Sequence, residues 1–256
     1  MRGNRIFWAG LLGLTWGGRG SILREKCNSV TGVTGFIRVG NHSEVFMPSI
    51  SAKVIGRLSL YRRFLVEVRR EGSTHVFSHD LARLAGVTAA QVRRDLMGVG
   101  YSGSSVRGYE VEALIGSIGK VLDSEAPEGI ALVGLGNLGR AILDYVGGRR
   151  SGQQIVAAFD VDRAKVNRVI HSCRCYGMED LAEVVEEQGI GTALITVPAN
   201  AAQEVAERLV GAGVRGILNF APVRLRVPEG VFVEDVDVAM VLEKVAYFAR
   251  QVGATE

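Results

Sequence analysis

One glycine-rich hexapeptide, Gly134 to Gly139, constrains the fold of this chain more than any other feature of its sequence. It follows an apolar run, Ile130–Val133, that predicts a strand, and it precedes Arg140–Tyr145, which predicts a helix. A second predicted strand, Gln154–Phe159, leads into Asp160, which follows the last glycine by the roughly 20 residues typical of a dinucleotide-binding βαβ unit. The alternative is a glycine-rich turn in an α/β sheet whose pocket is empty.

The three glycines have different tasks in such a unit. Gly134 allows a tight turn, Gly136 lets backbone amides approach a pyrophosphate, and Gly139 lets the helix pack closely on the strand. The helix N-terminus then directs its positive dipole end at the phosphates. A carboxylate at Asp160 accepts hydrogen bonds from ribose hydroxyls and repels a 2′-phosphate, so NAD is favoured over NADP.

A further predicted strand ends in Thr196, Val197 and Pro198, and ligands of open parallel sheets bind beyond the C-terminal ends of the strands. For Asp160 there is an alternative to ribose binding, in which Asp160 or the nearby Asp162 caps a helix that starts near Arg163. We expect NADH or NAD to be bound by Gly134, Leu135, Gly136, Asn137, Leu138, Gly139, Asp160, Thr196, Val197 and Pro198.

Composition and charge suggest two modules in a cytoplasmic protein. The three cysteines of the 256 residues form neither a disulfide framework nor a CxxC metal pair, so we expect no metal site. The four histidines provide no convincing catalytic set, and we predict no enzyme. Residues 48–110 carry a net charge of +5 and residues 111–256 one of −6, which favours a nucleic-acid module joined to a cofactor module.

The basic segment has the pattern of a helix-turn-helix. Apolar residues spaced by three and four predict a helix over Ile50–Arg70. Ser78 is the expected N-cap of a second helix, and Thr88, followed by Gln91, is that of a third. The glycine-rich Gly98–Val111 then predicts a β-hairpin wing, and we expect double-stranded DNA to contact Thr88, Gln91, Arg93, Arg94 and Arg107. The alternative is a helical dimerisation domain with solvated arginines.

The two ends of the chain have contrasting patterns. Arg2 and Arg5 precede a short apolar run that lacks a cleavage site, so we expect residues 1–47 to be a disordered or non-native leader, with a secretory signal as the weaker alternative. This run is too short to span a bilayer, and we expect no membrane association. The apolar helix predicted over Ala239–Val252 is expected to pack on another subunit.

From Pro48 to about Ala249, the chain resembles the Rex family of redox-sensing transcriptional repressors. The motifs that carry this resemblance are Arg57-Leu58 with Tyr61, Gln91-Val92-Arg93-Arg94-Asp95-Leu96, Gly108-Tyr109, Val133 to Gly139, Asp144-Tyr145, Phe159-Asp160-Val161-Asp162, Thr196-Val197-Pro198-Ala199 with Ala202-Gln203, Gly216 to Val223, and Val236-Asp237.

The resemblance implies an α/β protein with an N-terminal winged helix-turn-helix domain and a C-terminal Rossmann domain, a doubly wound parallel sheet. The implied boundaries are 48–124 for the winged helix, 125–238 for the NAD(H) domain and 239–256 for a swapped dimerisation helix. It also implies a homodimer that binds a palindromic operator and is released by NADH. An oxidoreductase with an N-terminal dimerisation domain and a coenzyme A-binding protein are the alternatives.

Family members couple cofactor and DNA through an arginine of the first helix, a tyrosine after the glycine motif and an aspartate of the partner subunit. The matching positions are Arg63, Tyr145 and Asp237. Family wings usually carry an arginine around the positions of Ser104 and Ser105, whereas this wing has its one cation at Arg107.

Overall fold

The computed structural model describes residues 50–104, 106–124, 128–147 and 154–252. The predicted leader, residues 1–47, lies outside the described residues. The helices are α1 (Ala52–Arg70), α2 (Ser78–Ala85), α3 (Ala89–Gly98), α4 (Val111–Leu122), α5 (Asn137–Gly147), α6 (Leu181–Glu187), α7 (Ala199–Gly211) and α8 (Val238–Val252). The strands are β1 (His75–Val76), β2 (Tyr109–Glu110), β3 (Gly129–Val133), β4 (Gln154–Asp160), β5 (Val169–Ile170), β6 (Cys173–Gly177), β7 (Ile190–Ile195), β8 (Gly216–Asn219) and β9 (Phe232–Asp235).

Helix α1 is amphipathic, as its spacing predicts. It buries Leu58, Tyr61, Leu65 and Val68 in a hydrophobic cluster that also holds residues of α2, α3 and α4. The start of α2 differs from the prediction. Ser78 is already helical and Phe77 is the N-cap, because the Asp80 carboxylate accepts a hydrogen bond from the Phe77 amide at 3.2 Å.

Helix α3 begins as predicted at a Thr88 cap, whose hydroxyl accepts a hydrogen bond from the Gln91 amide at 3.2 Å. The wing is a short hairpin. Ser104 and Gly108 exchange backbone hydrogen bonds of 2.9 and 2.8 Å across its tip. Strand β2 then pairs antiparallel with β1, which precedes α2. This pairing joins the wing to the helix-turn-helix and confirms the winged-helix prediction.

The C-terminal segment forms a seven-stranded sheet in the order β5-β6-β4-β3-β7-β8-β9. All neighbours pair in parallel except β5, which runs antiparallel to β6 at the edge. Without β5 this is the strand order 3-2-1-4-5-6 of a Rossmann sheet, so the doubly wound fold is confirmed. The order reverses between β3 and β7, where ligands of such sheets bind.

The segment after β4 does not form the helix near Arg163 that the alternative capping role of Asp160 or Asp162 would require. Residues 163–167 form turns, in which the Asp162 carboxylate accepts a hydrogen bond from the Ala164 amide at 2.9 Å. Asn167, at a φ of 62°, then donates its amide to the Cys175 carbonyl oxygen at 2.8 Å. This hydrogen bond directs the chain back along β6, so a helix cannot continue.

Two hydrophobic clusters lie in the sheet domain. The larger contains residues of α6 and α7, and the smaller contains Leu143 of α5 with Cys173 and Cys175 of β6. Helix α8 differs from the other helices because it has no buried residue, although much of it is apolar. Within the described residues, no helix is long and apolar enough to cross a membrane.

Candidate functional site

The glycine loop between β3 and α5 lies at the point where the strand order reverses. The Gly134 amide donates to the Phe159 carbonyl oxygen at 2.8 Å, and the Thr196 hydroxyl lies 2.7 Å from the Gly134 carbonyl oxygen. Gly134 has a φ of 99°, and a Cβ there would lie 2.9 Å from the backbone oxygen of Thr196. Only glycine satisfies both conditions, so the turn that Gly134 is predicted to make is present.

The other two glycines of the loop have opposite surroundings. A Cβ on Gly139 would collide with the backbone of Gly134, whereas a Cβ on Gly136 would meet no atom within 4 Å. Gly139 is therefore required for packing. Gly136 leaves open space at the N-terminus of α5, as the approach of a pyrophosphate would require.

Asp160 lies at the end of β4 and is 7% exposed. Its carboxylate accepts hydrogen bonds from the Leu135 amide at 2.8 Å, from the Asp162 amide at 2.8 Å and from the Lys165 ammonium at 2.9 Å. Burial raises the pKa of Asp160, but these donors outweigh burial, so the pKa is lowered. Asp160 is therefore an anion that supports the glycine loop.

A cavity of about 260 Å³ opens beside this loop. Gly134, Gly136, Asp160, Thr196, Val197 and Pro198, all predicted from the sequence, line it together with Val133, Phe159, Val161, Lys165, Met178, Ala201 and Val205. Four further predicted residues, Leu135, Asn137, Leu138 and Gly139, lie in the adjoining loop and the first turn of α5, outside this lining. Leu135 is buried and contributes its backbone amide rather than its side chain.

The predicted DNA-contacting residues lie on α3 and on the wing. Arg93, Arg94 and Arg107 are exposed, and Thr88 caps the helix. The Arg93 guanidinium donates to the Ser78 hydroxyl at 3.1 Å, which links α3 to α2. The Ser104 hydroxyl accepts hydrogen bonds from the amides of Val106 and Arg107, both at 3.2 Å, so it orders the wing tip.

A buried ionic cluster joins α3 to α1. The Asp95 carboxylate, 2% exposed, accepts two hydrogen bonds from Arg57, at 2.6 and 2.8 Å. It also accepts one from the Tyr61 hydroxyl at 3.0 Å and one from the Gln91 side-chain amide at 2.8 Å. Burial raises the pKa of Tyr61 to about 12, and the bond to Asp95 adds to this effect. The cluster therefore fixes α3, the helix predicted to contact DNA and here called the recognition helix, on α1.

The three predicted coupling residues lie on different elements. Arg63 is exposed on α1, and Tyr145, on α5, is 60% exposed. The Asp237 carboxylate accepts a hydrogen bond from the Met240 amide at 2.9 Å and so caps α8.

Other titratable groups have packing or surface roles. Cys173 and Cys175 are buried, and burial raises the pKa of each thiol to about 11. His171 lies at the surface, with its Nδ1 3.3 Å from the Asp144 carboxylate. Among the described residues, no group of three or more His, Cys, Asp or Glu side chains is arranged to hold a metal ion.

Known proteins resemble this chain along most of its length. A model of the CoA binding domain matches residues 125–223, and one of a putative DNA-binding protein N-terminus matches residues 49–96. The redox-sensing transcriptional repressor Rex of Carboxydothermus hydrogenoformans is 43% identical over 202 residues, which are 79% of this chain and 97% of that repressor. The Rex of Lactobacillus acidophilus is 38% identical over 205 residues, 80% of this chain and 96% of that repressor. This chain belongs to the Rex family.

Solved structures of a Rex-family repressor, RSP, agree with this assignment. RSP in complex with β-NAD⁺ and operator DNA matches with a TM-score of 0.74 and 31% identity, over 82% of this chain and 96% of that one. RSP in complex with β-NADH matches with a TM-score of 0.70 and 31% identity, over 80% and 97%. The sequence-based assignment to Rex, and the winged-helix and Rossmann architecture, are confirmed.

Three residues of this Rex protein have roles that the sequence reasoning did not assign. Asp95 was part of a family motif, but its partner Arg57 lies 38 residues away. Lys165 donates to the Asp160 carboxylate at 2.9 Å and lines the cavity. Asn219 is buried, and its side-chain amide donates to the Val223 carbonyl oxygen and to the Asp235 carboxylate, both at 2.8 Å. A charged or amide residue inside an apolar pattern is the signal that could have indicated Asp95 and Asn219.

Proposed function

We propose that this chain is an NADH-responsive transcriptional repressor that binds a palindromic operator as a homodimer and leaves it when NADH binds. The observation that carries the proposal is that one chain holds both a dinucleotide loop, with Asp160 behind it, and a basic winged helix. The crystal structures of RSP with β-NAD⁺ and operator DNA and with β-NADH support it. We also propose a cytoplasmic location, as expected for a DNA-binding regulator.

The cofactor would bind along the cavity beside the glycine loop. Gly136 leaves room for the pyrophosphate, and the amides at the start of α5 would donate to it. Asp160 and Lys165 would hold the adenosine ribose, and Thr196, Val197 and Pro198 would contact the nicotinamide half. The bound dinucleotide supplies the redox signal through its nicotinamide ring. A sensor of this kind needs no turnover, so we propose no enzymatic role.

The operator would contact α3 and the wing. Arg93 and Arg94 would enter the major groove, where arginine pairs with phosphates and guanine edges. Arg107 is the wing cation, and with Ser104 ordering the tip it would reach the neighbouring groove. We propose residues 48–124 as the DNA-binding domain and residues 125–238 as the cofactor domain.

The homodimer is proposed from α8. Large apolar side chains along this helix are about half exposed or more in the single chain, and a monomer with such a surface would associate. They are Val238, Met240, Val241, Leu242, Val245, Tyr247, Phe248 and Val252. The predicted dimerisation segment, residues 239–256, has its last four residues outside the described ones. Its described part, 239–252, would therefore pack on the partner subunit, and Asp237 at the start of α8 would meet Tyr145 and Arg63 across the interface.

Reciprocal linkage provides the experiment. The affinity of the full chain for NADH is measured by fluorescence, with and without the operator duplex found in the RSP crystal. If NADH releases DNA, the duplex must weaken NADH binding by the same factor, about 5- to 150-fold for a typical coupling of 1–3 kcal/mol. Equal NADH affinity with and without DNA would contradict the proposal.

The match to the CoA binding domain raises a second candidate ligand for the sheet domain. Coenzyme A also carries an adenosine pyrophosphate, which the same loop would accept. A competition titration separates the two ligands. We expect NADH to bind and coenzyme A not to displace it at equal concentration, whereas displacement would favour coenzyme A.

A further inference from the structure

We propose that Gln91 is a positioning residue that holds Arg94 in place for the operator and does not itself read a base. The proposal deepens the function proposed above and rests on it, because it takes α3 to be the helix that contacts DNA. Gln91 has the residue type and position of an adenine reader, since glutamine can pair with adenine in the major groove. Its contacts in the structure point to a different role.

Both ends of the Gln91 side-chain amide are occupied within the protein. Its Nε2 donates to the Oδ1 of Asp95 at 2.8 Å, and its Oε1 accepts a hydrogen bond from the Nη2 of Arg94 at 2.9 Å. A bidentate contact to adenine needs one donor and one acceptor of the same amide. The amide keeps a second N–H and a second oxygen lone pair, but Asp95 and Arg94 together fix its direction, so it is not free to turn toward a base.

The buried Asp95 fixes which way the Gln91 amide points. All four acceptor positions of this carboxylate are occupied, two by Arg57 and one each by Tyr61 and Gln91. Flipping the amide would place its oxygen against the carboxylate and leave one acceptor of Asp95 without a donor. The oxygen of Gln91 is therefore held toward Arg94.

The consequence for Arg94 is a smaller loss of side-chain freedom on binding DNA. An exposed arginine has many rotamers, and ordering one such side chain costs about 0.5–1.5 kcal/mol, so preorganisation is expected to strengthen binding about 2- to 13-fold per half-site. Arg93 provides an internal comparison. It lies next to Arg94 on α3, but its guanidinium is held by the Ser78 hydroxyl of α2 rather than by Gln91.

The test is a pair of double-mutant cycles on the full chain. Gln91→Ala is combined with Arg94→Ala in one cycle and with Arg93→Ala in the other. The dissociation constant for the operator duplex of the RSP crystal is measured by fluorescence anisotropy for every variant. NADH affinity and the melting temperature of each variant check that the fold is retained. This check is needed because Gln91→Ala also removes a donor from the buried Asp95 carboxylate.

We expect Gln91→Ala to weaken operator binding in the parent chain and to have no further effect once Arg94 is alanine. With Arg93→Ala the losses are expected to be additive. Equal losses from Gln91→Ala with and without Arg94, or a change in base preference at an adenine that persists without Arg94, would overturn the proposal. Failure of the unsubstituted chain to bind the duplex would instead refute the function on which the proposal rests.

Discussion

Replacing Arg57 by methionine is expected to destabilise the recognition helix far more than a surface substitution would. The change leaves the Asp95 carboxylate, 2% exposed, without its bidentate partner. Removing one member of a buried pair costs about 3–5 kcal/mol, because the remaining charge cannot be solvated. The Arg57 side chain is 21% exposed, so water can enter where it leaves, and we expect about 3 kcal/mol, the lower end of that range.

The dependence of this loss on pH has a definite sign. In the native chain burial raises the pKa of Asp95, but hydrogen bonds from Arg57, Gln91 and Tyr61 outweigh burial and the pKa is lowered. A lowered folded-state pKa stabilises the fold above the unfolded pKa, and this stability is lost as pH falls through the folded pKa. Without Arg57, burial dominates and the pKa of Asp95 rises. The variant therefore takes up a proton at Asp95 at a higher pH than the parent chain does. As pH falls from about 7 toward about 4, the difference in stability between the parent chain and Arg57→Met should become smaller.

Hydrogen exchange of the α3 amides is the assay, because it reports local opening. A loss of about 3 kcal/mol corresponds to exchange roughly 150-fold faster at neutral pH. Arg62→Met is the matched control, since Arg62 pairs with Asp123 at the surface and such pairs contribute about 0–1 kcal/mol. If Arg57→Met accelerates exchange no more than Arg62→Met, or if its effect grows as the pH is lowered, the account of the buried cluster is wrong.

Three further substitutions test the other parts of the account. Gly136→Ala should leave the melting temperature unchanged but weaken NADH binding about tenfold or more. Gly139→Ala should weaken NADH binding and also lower the melting temperature. If the two substitutions change the melting temperature equally, the roles assigned to these glycines are wrong. Lys165→Met removes a donor to Asp160, so the pKa of that carboxyl should rise, which NMR titration of the carboxyl carbon measures. An unchanged pKa would show that the ion pair does not stabilise the Asp160 anion. Leu242→Glu places a charge on the exposed face of α8 and should produce monomers in sedimentation. A dimer that stays intact would show that α8 is not part of the interface.

The sequence predicted the parts of the molecule that depend on local pattern. The glycine loop, the strand that ends in Asp160 and the three helices of the basic segment follow from spacing and from glycine chemistry, and the structure has them all. The Thr88 cap was also correct, because its acceptor and donor lie three residues apart.

The features that the sequence did not predict depend on pairings between distant segments or on a competing local group. Ser78 has the residue type of an N-cap, but Asp80 supplies the acceptor, so the helix starts one residue earlier than expected. The turn after Asp162 forms because Asn167 bonds to β6, a strand that was itself not predicted. Leu84 of α2 is 49% exposed, although it lies three residues after the fully buried Leu81. Periodicity alone cannot show which apolar residues of a short helix find a partner.

The central claim is that NADH and operator DNA each weaken the binding of the other to this protein. Fluorescence anisotropy of the labelled operator duplex, saturated with the full chain and titrated first with NADH and then, in a separate sample, with NAD⁺, tests it most directly. The account predicts that NADH releases the DNA at a far lower concentration than NAD⁺ does. DNA that stays bound at saturating NADH, or release by both nucleotides at the same concentration, would contradict it.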